Sequence, residues 1–394
     1  MLTTVMQNGT HRVLALEGLR GIAAVAVVFF HILQNFYPHI VTGHDKPQHL
    51  FFEDNLYGFP LMALLSGPYA VAIFFVLSGF VLSIGFFSSK SETVIKKLAA
   101  KRYVRLMIPA AVSIMIAWLL IGANQNYVDE AIVIIKNTDL TYIWSFSADF
   151  WSALYQGTIG IFMGGEVTYN PVTWTMVYEF IGSMVVFAFC LLFGKSKRRW
   201  IMYILLILLT AQTWYLAFIL GVLLADLYVH REHIFNNKPL GALMLIVGIF
   251  FGGYAIGSID GTIYETLTVP GWMPGQSKQF FLTIGAVLLI AAVLSLAKLQ
   301  KILSSKLLSS LGRYTYSLYL VHLPLLYAVA FGVFVYMVNN QGMGYNHAVA
   351  VALAVYIPTV ILATWLFERY IDAPSIKLSS VFARLILSKD QDKT

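Results

Sequence analysis

Two basic residues bracket an apolar run near the start of the chain, Arg20 and His31 in "RGIAAVAVVFFH". Arginine is a permanently charged fork of donors suited to phosphate and carboxylate oxygens. Histidine titrates near neutrality and can take a proton from a hydroxyl. Eleven positions at about 100° each come to about 20° past three full turns. On a helix both side chains therefore point the same way, about 16 Å apart along the axis. They would line one wall of a cavity opening at the arginine end. The plainer alternative is a snorkelling arginine and a packed, hydrogen-bonded histidine. Arg102 and Arg105 in "KRYVR" are three apart and share a helix face, as phosphate-matched donors or as positive anchors. Glu179 in "WTMVYEF", Asp226, and His322 in "YSLYLVHLP" are further ionisable groups set in apolar sequence. Each costs roughly 2.5–3.5 kcal/mol to place at the centre of a membrane helix, so each needs a reason. Tyr319 and His322, three apart, lie on one side of their helix, which also carries Tyr316. Ser78 in "LSGF" has no histidine or carboxylate in its own motif and reads as a small packing residue.

The elements that must position these groups are membrane helices. Of 394 residues, 59% are hydrophobic and 11% charged, against about 25% charged in a soluble domain. The mean hydropathy is +0.75. A spanning helix needs about 20 mainly apolar residues. Ten runs qualify or nearly so: 14–37, 67–87, 106–123, 171–193, 200–212, 214–230, 240–257, 280–297, 315–337 and 347–367. The fifth and sixth are short and separated only by "AQT", as a tight hairpin or one broken helix. The first lacks an A-x-A-like cleavage site and reads as a retained helix. With the N-terminus in the cytoplasm, all Lys and Arg except Lys46, Lys136 and Lys278 fall on cytoplasmic segments or helix ends. An even number of spans with both termini inside satisfies this asymmetry. The expected architecture is an all-α polytopic membrane helical bundle, with an integral domain over 1–375 and a cytoplasmic tail over 376–394.

The net charge of +7 is accounted for by that topology, and no single basic patch suggests nucleic acid. The one cysteine, Cys190, lies in an apolar run and excludes an internal disulfide framework. Segments 38–66 and 124–170, on the other side, are long and aromatic. They read as interfacial packing, or as a sugar-facing platform or re-entrant cover.

Six motifs in order resemble the membrane acyltransferase-3 family. "LEGLRGIAAVAVVFFH" is similar to its opening helix, "FFVLSGFVLS" (74–83) to its second-helix signature, and "RYVR" (102–105) to its Arg-x-x-Arg motif. "WTMVYEF" (174–180), "LGRYTYSLYLVHLPLL" (311–326) and "FERYIDAP" (367–374) resemble its later landmarks. Glu17 stands where aspartate is more usual, and Tyr370 replaces the common proline, which comes later at Pro374. The 368–374 element is read as structural. The resemblance implies transfer of an acyl group, usually acetyl, from cytoplasmic acetyl-CoA to a hydroxyl of a surface or exported glycan or its lipid-linked precursor. It implies no metal, and a home in the bacterial cytoplasmic membrane. In that frame His31 is the candidate general base and Glu179 its orienting carboxylate. Arg20, Arg102, Arg105 and Arg313 are candidates to hold the CoA phosphates and thioester. Trp174 would wall the cavity, while Tyr316, Tyr319 and His322, which share one helix, would bind the acceptor or relay the acyl group covalently. A transporter or flippase of a lipid-linked sugar would account for the spans and buried charges but not for the ordered motifs.

Overall fold

A computed structural model describes residues 2–43, 46–269 and 276–391. The α-helices in chain order begin with α1 (Leu2–Phe36), α2 (Pro38–Thr42), α3 (Glu53–Leu56), α4 (Gly67–Ser89), α5 (Glu92–Gly122) and α6 (Val128–Ile135). Then come α7 (Phe150–Thr158), α8 (Thr175–Leu192), α9 (Arg199–Thr210), α10 (Tyr215–His230), α11 (Lys238–Gly252) and α12 (Ser277–Ser295). The last are α13 (Ala297–Leu303), α14 (Lys306–Leu325), α15 (Phe331–Asn339), α16 (Tyr345–Phe367) and α17 (Ala373–Gln391). No strand occurs among the described residues. Seven helical segments are long and apolar enough to cross a membrane, and α9, α10 and α11 are shorter apolar helices at the fifth to seventh expected spans. The chain is an all-α, multi-pass membrane bundle.

Local chemistry sets the helix ends. Ser66 Oγ accepts the Tyr69 N–H at 3.2 Å to cap α4, whose first turn holds Pro68, and Lys90 closes it in the left-handed region at φ 55°. Helix α5 starts fourteen residues before the expected span. Lys96, Lys97 and Lys101 lower its hydropathy but not its helix propensity, and its break comes only at "SKSE". Arg102 and Arg105 therefore sit well inside a continuous helix rather than at its end.

The bundle is drawn together by small residues. Helices α4 and α10 cross at Gly79 and Gly221, where a Cβ would lie 2.2 Å from the carbonyl oxygens of Phe218 and Val76 respectively. Such close backbone approach supplies the packing that membrane helices need in place of a hydrophobic driving force. Ion pairs tie the Lys/Arg-rich ends: Arg199 forks onto Asp226 at 2.5 and 2.8 Å and Lys195 meets Glu92 at 2.7 Å, while Lys90 Nζ donates a hydrogen bond to His230 Nε2 at 3.1 Å. Asp226 is thus accounted for as a structural partner of Arg199, Tyr203 and His230.

Three features beyond the spans matter for the site. Helix α7 re-enters alongside α5: Gly157 packs on Ala111, and the Tyr103 hydroxyl donates to Thr158 O at 2.6 Å. The chain then returns through Asn170 into the 3₁₀ turn Pro171–Trp174 that opens α8. Pro324, near the end of α14, has no N–H for the Leu320 carbonyl four residues back. Buried Asn170 replaces it, its Nδ2 donating to Leu320 O at 2.9 Å and to Ser113 Oγ at 3.1 Å. Asn170→Ala is expected to cost about 1–3 kcal/mol, the penalty for an orphaned buried carbonyl, measurable as a lowered Tm in detergent. An unchanged Tm would mean that Leu320 O finds another donor. Finally, α16 does not stop at 367. It passes through a π-helical turn, Glu368–Asp372, into α17, which lies against α5. The expected tail is therefore helical through Gln391, its last three residues lying outside those described.

The aromatic segments divide. Trp144 is buried and donates to Tyr169 O at 2.8 Å, whereas Trp151 and Tyr142 are exposed.

Candidate active site

A cavity of about 300 Å³ opens between α1, α4, α5, α8 and α14. Its polar lining is Arg20, Arg102, Arg105, Ser78, Glu179, Thr175, Thr315, Tyr316 and Tyr319, set among apolar residues of α4 such as Phe74 and Phe75. Arg20, 38% exposed, and the exposed Val81 mark its mouth, on the side of the Lys/Arg-rich ends. Counted along the helices from those ends, Arg102 lies about 15 Å in, Ser78 about 16 Å, and Glu179 and Tyr319 about 20 Å. His322 follows at about 24 Å on α14, with His31 beside it, about 16 Å beyond Arg20 along α1.

Each cavity arginine is anchored by a carboxylate from another turn or helix. Arg20 Nη1 donates to Glu17 at 3.2 Å. Arg102 Nη2 donates to Glu179 Oε1, and its Nε to Ser183 Oγ at 2.7 Å. Arg105 Nη1 donates to Asp372 at 2.5 Å and to Ser375 Oγ at 3.1 Å, and its guanidinium lies 5.3 Å from the Tyr316 ring centre. One-sided pairing holds each fork in place and leaves further nitrogens without a partner among the described residues: Nη1 of Arg102, Nε and Nη2 of Arg20 and Arg105. Three positive groups with spare donors on one small wall make a pocket for anionic oxygens.

Ser78 is more than a packing residue. Its Oγ donates at 2.6 Å to the same Glu179 oxygen that Arg102 holds. The sequence concealed this because the carboxylate comes from α8, about a hundred residues away. Asp372 falls in the 368–374 element, which the sequence marks only as structural. Its signal was a carboxylate four residues after Glu368, both buried.

The other expected residues are distributed differently. Glu179 is bonded to Arg102 and Ser78, not to His31. His31 instead meets His322: Nδ1 of the first is 3.1 Å from Nε2 of the second. The pair lies one side chain beyond the cavity wall, with the His322 ring 6.1 Å from that of Tyr319. His31 is half-buried, and His322 is fully buried. The Tyr319 hydroxyl donates to Val172 O at 2.8 Å and contacts Thr175 Oγ1 at 3.0 Å, so the separating ring is pinned. Tyr316 lines the cavity and donates to Leu106 O at 2.8 Å. Trp174 packs edge-on to Tyr178 and tilted against Trp214, behind Phe75, rather than in the wall. Arg313 is outside the cavity, 64% exposed, and forks onto buried Glu368 at 2.7 and 2.9 Å.

No solved structure matches the chain. Among curated proteins, the O-acetyltransferase PaAT-1 of Phomopsis amygdali is 25% identical over 434 aligned positions, covering 95% of this chain and 86% of the relative. The family model described as an acyltransferase domain matches residues 13–368, nearly the whole membrane bundle and every cavity residue named above. The chain belongs to the acyltransferase-3 family and is a multi-pass membrane O-acyltransferase.

Proposed function

We propose that the protein moves an acetyl group from acetyl-CoA, entering from the cytoplasmic side, to a hydroxyl of a surface or exported glycan or its lipid-linked precursor. The observation that carries this reading is the cavity itself: three guanidiniums with spare donors around a space of about 300 Å³, open toward the Lys/Arg-rich ends. That volume accommodates a pantetheine thioester arm and leaves the nucleotide at the mouth. Arg20, Arg102 and Arg105 would hold the CoA phosphates there, and Tyr316 and Tyr319 would flank the thioester. Arg313, committed to Glu368 on the exposed side, is left to fixing α16 on α14. The acceptor reaches His31, the general base, from the opposite side, and the acyl carbon comes to it past the Tyr319 ring at the inner end of the cavity, which turns aside. The exposed aromatics on the opposite side, Trp151 and Tyr142 among them, support an acceptor with sugar rings. The reading requires a membrane with acyl-CoA on its Lys/Arg-rich side, which a bacterial cytoplasmic membrane provides.

The experiment is sided. The purified protein is reconstituted in liposomes with isotopically labelled acetyl-CoA outside or inside and a glycolipid fraction from the host. Thiol release and a gain of one acetyl mass on the glycolipid are measured, with orientation read by protease access to the 376–394 segment. Transfer only when acetyl-CoA meets the Lys/Arg-rich face is expected. Glycolipid movement with no thiol release would overturn the reading in favour of a flippase. Arg105→Ala tests the donor site: the KM for acetyl-CoA should rise about tenfold, the loss of one charge-assisted contact, with kcat little changed. An unchanged KM would return Arg105 to anchoring α17.

A further inference from the structure

We infer that His322 is a positioning residue that holds His31 in the tautomer with a bare Nε2, so that two imidazoles act as one proton-accepting pair. The inference rests on the reading of His31 as general base and deepens it.

Hydrogen-bond direction decides the matter. His31 Nδ1 is 2.9 Å from Val27 O, one turn back on α1. His322 Nδ1 is 2.9 Å from Leu318 O, one turn back on α14. A carbonyl oxygen only accepts, so each Nδ1 carries the hydrogen, and in a neutral imidazole the other nitrogen is then bare. His322 Nε2 lies 3.1 Å from His31 Nδ1. One hydrogen is available between them, that of His31, shared between Val27 O and His322 Nε2. His322 is therefore the acceptor of the pair and His31 the donor. The tautomers follow from the network around each ring.

This has a consequence on the far edge of the His31 ring. Its Nε2 keeps a free lone pair and has no protein partner among the described residues. His31 is half-buried, whereas His322 is fully buried with both nitrogens engaged. A substrate hydroxyl can reach the first imidazole and not the second. His322 is itself held: the Tyr356 hydroxyl donates to its backbone carbonyl at 2.9 Å. The carboxylate that might have oriented His31, Glu179, is spent on Arg102 and Ser78. The second imidazole fills the place that a carboxylate takes in a Ser-His-Asp arrangement.

The step balances without any further reagent. The acceptor oxygen attacks the acyl carbonyl as its proton passes to His31 Nε2, and an O–C bond forms. The C–S bond then breaks, and the departing thiolate takes the proton from Nε2. Between these events His31 is an imidazolium whose Nδ1–H points at a neutral imidazole and a carbonyl, both acceptors.

The test compares His322→Leu with His322→Gln in the full-length reconstituted protein. Leucine keeps bulk without an acceptor, while the glutamine amide oxygen reaches about where Nε2 stood. His322→Leu should lower kcat at least about 100-fold, in the range of general-base effects, with the KM for acetyl-CoA within about threefold. His322→Gln should recover at least about tenfold of that loss. Equal losses in the two variants, or a loss carried by KM, would overturn the inference. Size-exclusion profile and Tm verify folding. If the leucine variant does not fold, His322→Asn, whose amide falls short of His31, replaces it against His322→Gln under the same criteria. The two readings fail differently: a fully active His31→Ala removes the general base itself, whereas an inactive His31→Ala beside a fully active His322→Leu removes only the pairing.

Discussion

Replacing His31 by alanine is expected to lower acyl transfer by about 10²- to 10⁴-fold, the range for loss of a positioned general base, without lowering the amount of protein in the membrane. The two halves of this expectation have separate grounds. Among the described residues, Nε2 of His31 is the imidazole nitrogen of the pair without a partner, so the chemistry loses its proton acceptor. The structure loses little: the side chain is half-buried, its ring contacts are with Phe30 and His322, and the His31 carbonyl keeps its bond from Asn35 at 2.7 Å. Product formation is measured at saturating acetyl-CoA, alongside donor binding by the same preparation. Binding should persist because Arg20, Arg102 and Arg105 are untouched. Transfer at the wild-type rate would remove His31 from the reaction.

The second large effect falls on stability. Glu179→Ala leaves the Arg102 guanidinium, 14% exposed, without its counter-charge, and orphans Ser78 Oγ as well. Breaking a buried ion pair from one side costs about 3–5 kcal/mol, enough to lower the Tm by many degrees or prevent accumulation. The pair itself need not be stabilising against an apolar substitute. The double variant Glu179→Ala/Arg102→Leu should therefore regain most of the lost stability while staying deficient in donor binding. Thermal unfolding of the three proteins in detergent, with acetyl-CoA binding on those that fold, checks this. A single variant as stable as the wild type would show that Arg102 is satisfied without Glu179. A double variant with normal donor affinity would remove Arg102 from the CoA site.

The helices were legible because hydropathy and loop charge are local properties of the chain. Spans such as 67–87 and 171–193 coincide closely with helices at Gly67–Ser89 and Pro171–Leu192. Where charge and helix propensity disagree, hydropathy misleads: Lys96, Lys97 and Lys101 hid the first turns of α5, and the polar end of α17 hid a continuous helix. At the site, the residue types were legible but their partners were not. The cost of burying a charge marked Glu179, His31 and His322, each without a local partner. Which group answers that cost is set by helix packing, which brings Glu179 to Arg102 and His31 to His322 across 77 and 291 positions. The expectation that Glu179 serves His31 is reasonable in charge, but packing engages Glu179 with Arg102 and Ser78 and sets His322 beside His31 instead. Arg313 could not be told from Arg105 by type; only the exposure of one and the cavity position of the other separate them.

The wide turn at Glu368–Asp372 fixes a phase. A π turn accommodates one residue more than an α-helix does over the same span. Glu368, its first residue, meets Arg313, while Asp372, its last, and Ser375 just beyond it meet Arg105. Losing one residue there would rewind the turn and rotate everything beyond it by about 100°. Asp372 would leave Arg105, and α17 would leave the face of α5. The sequence from 368 to 375 is therefore constrained in length more tightly than in composition. A cavity that opens near the start of the chain depends on a count of residues kept near its end.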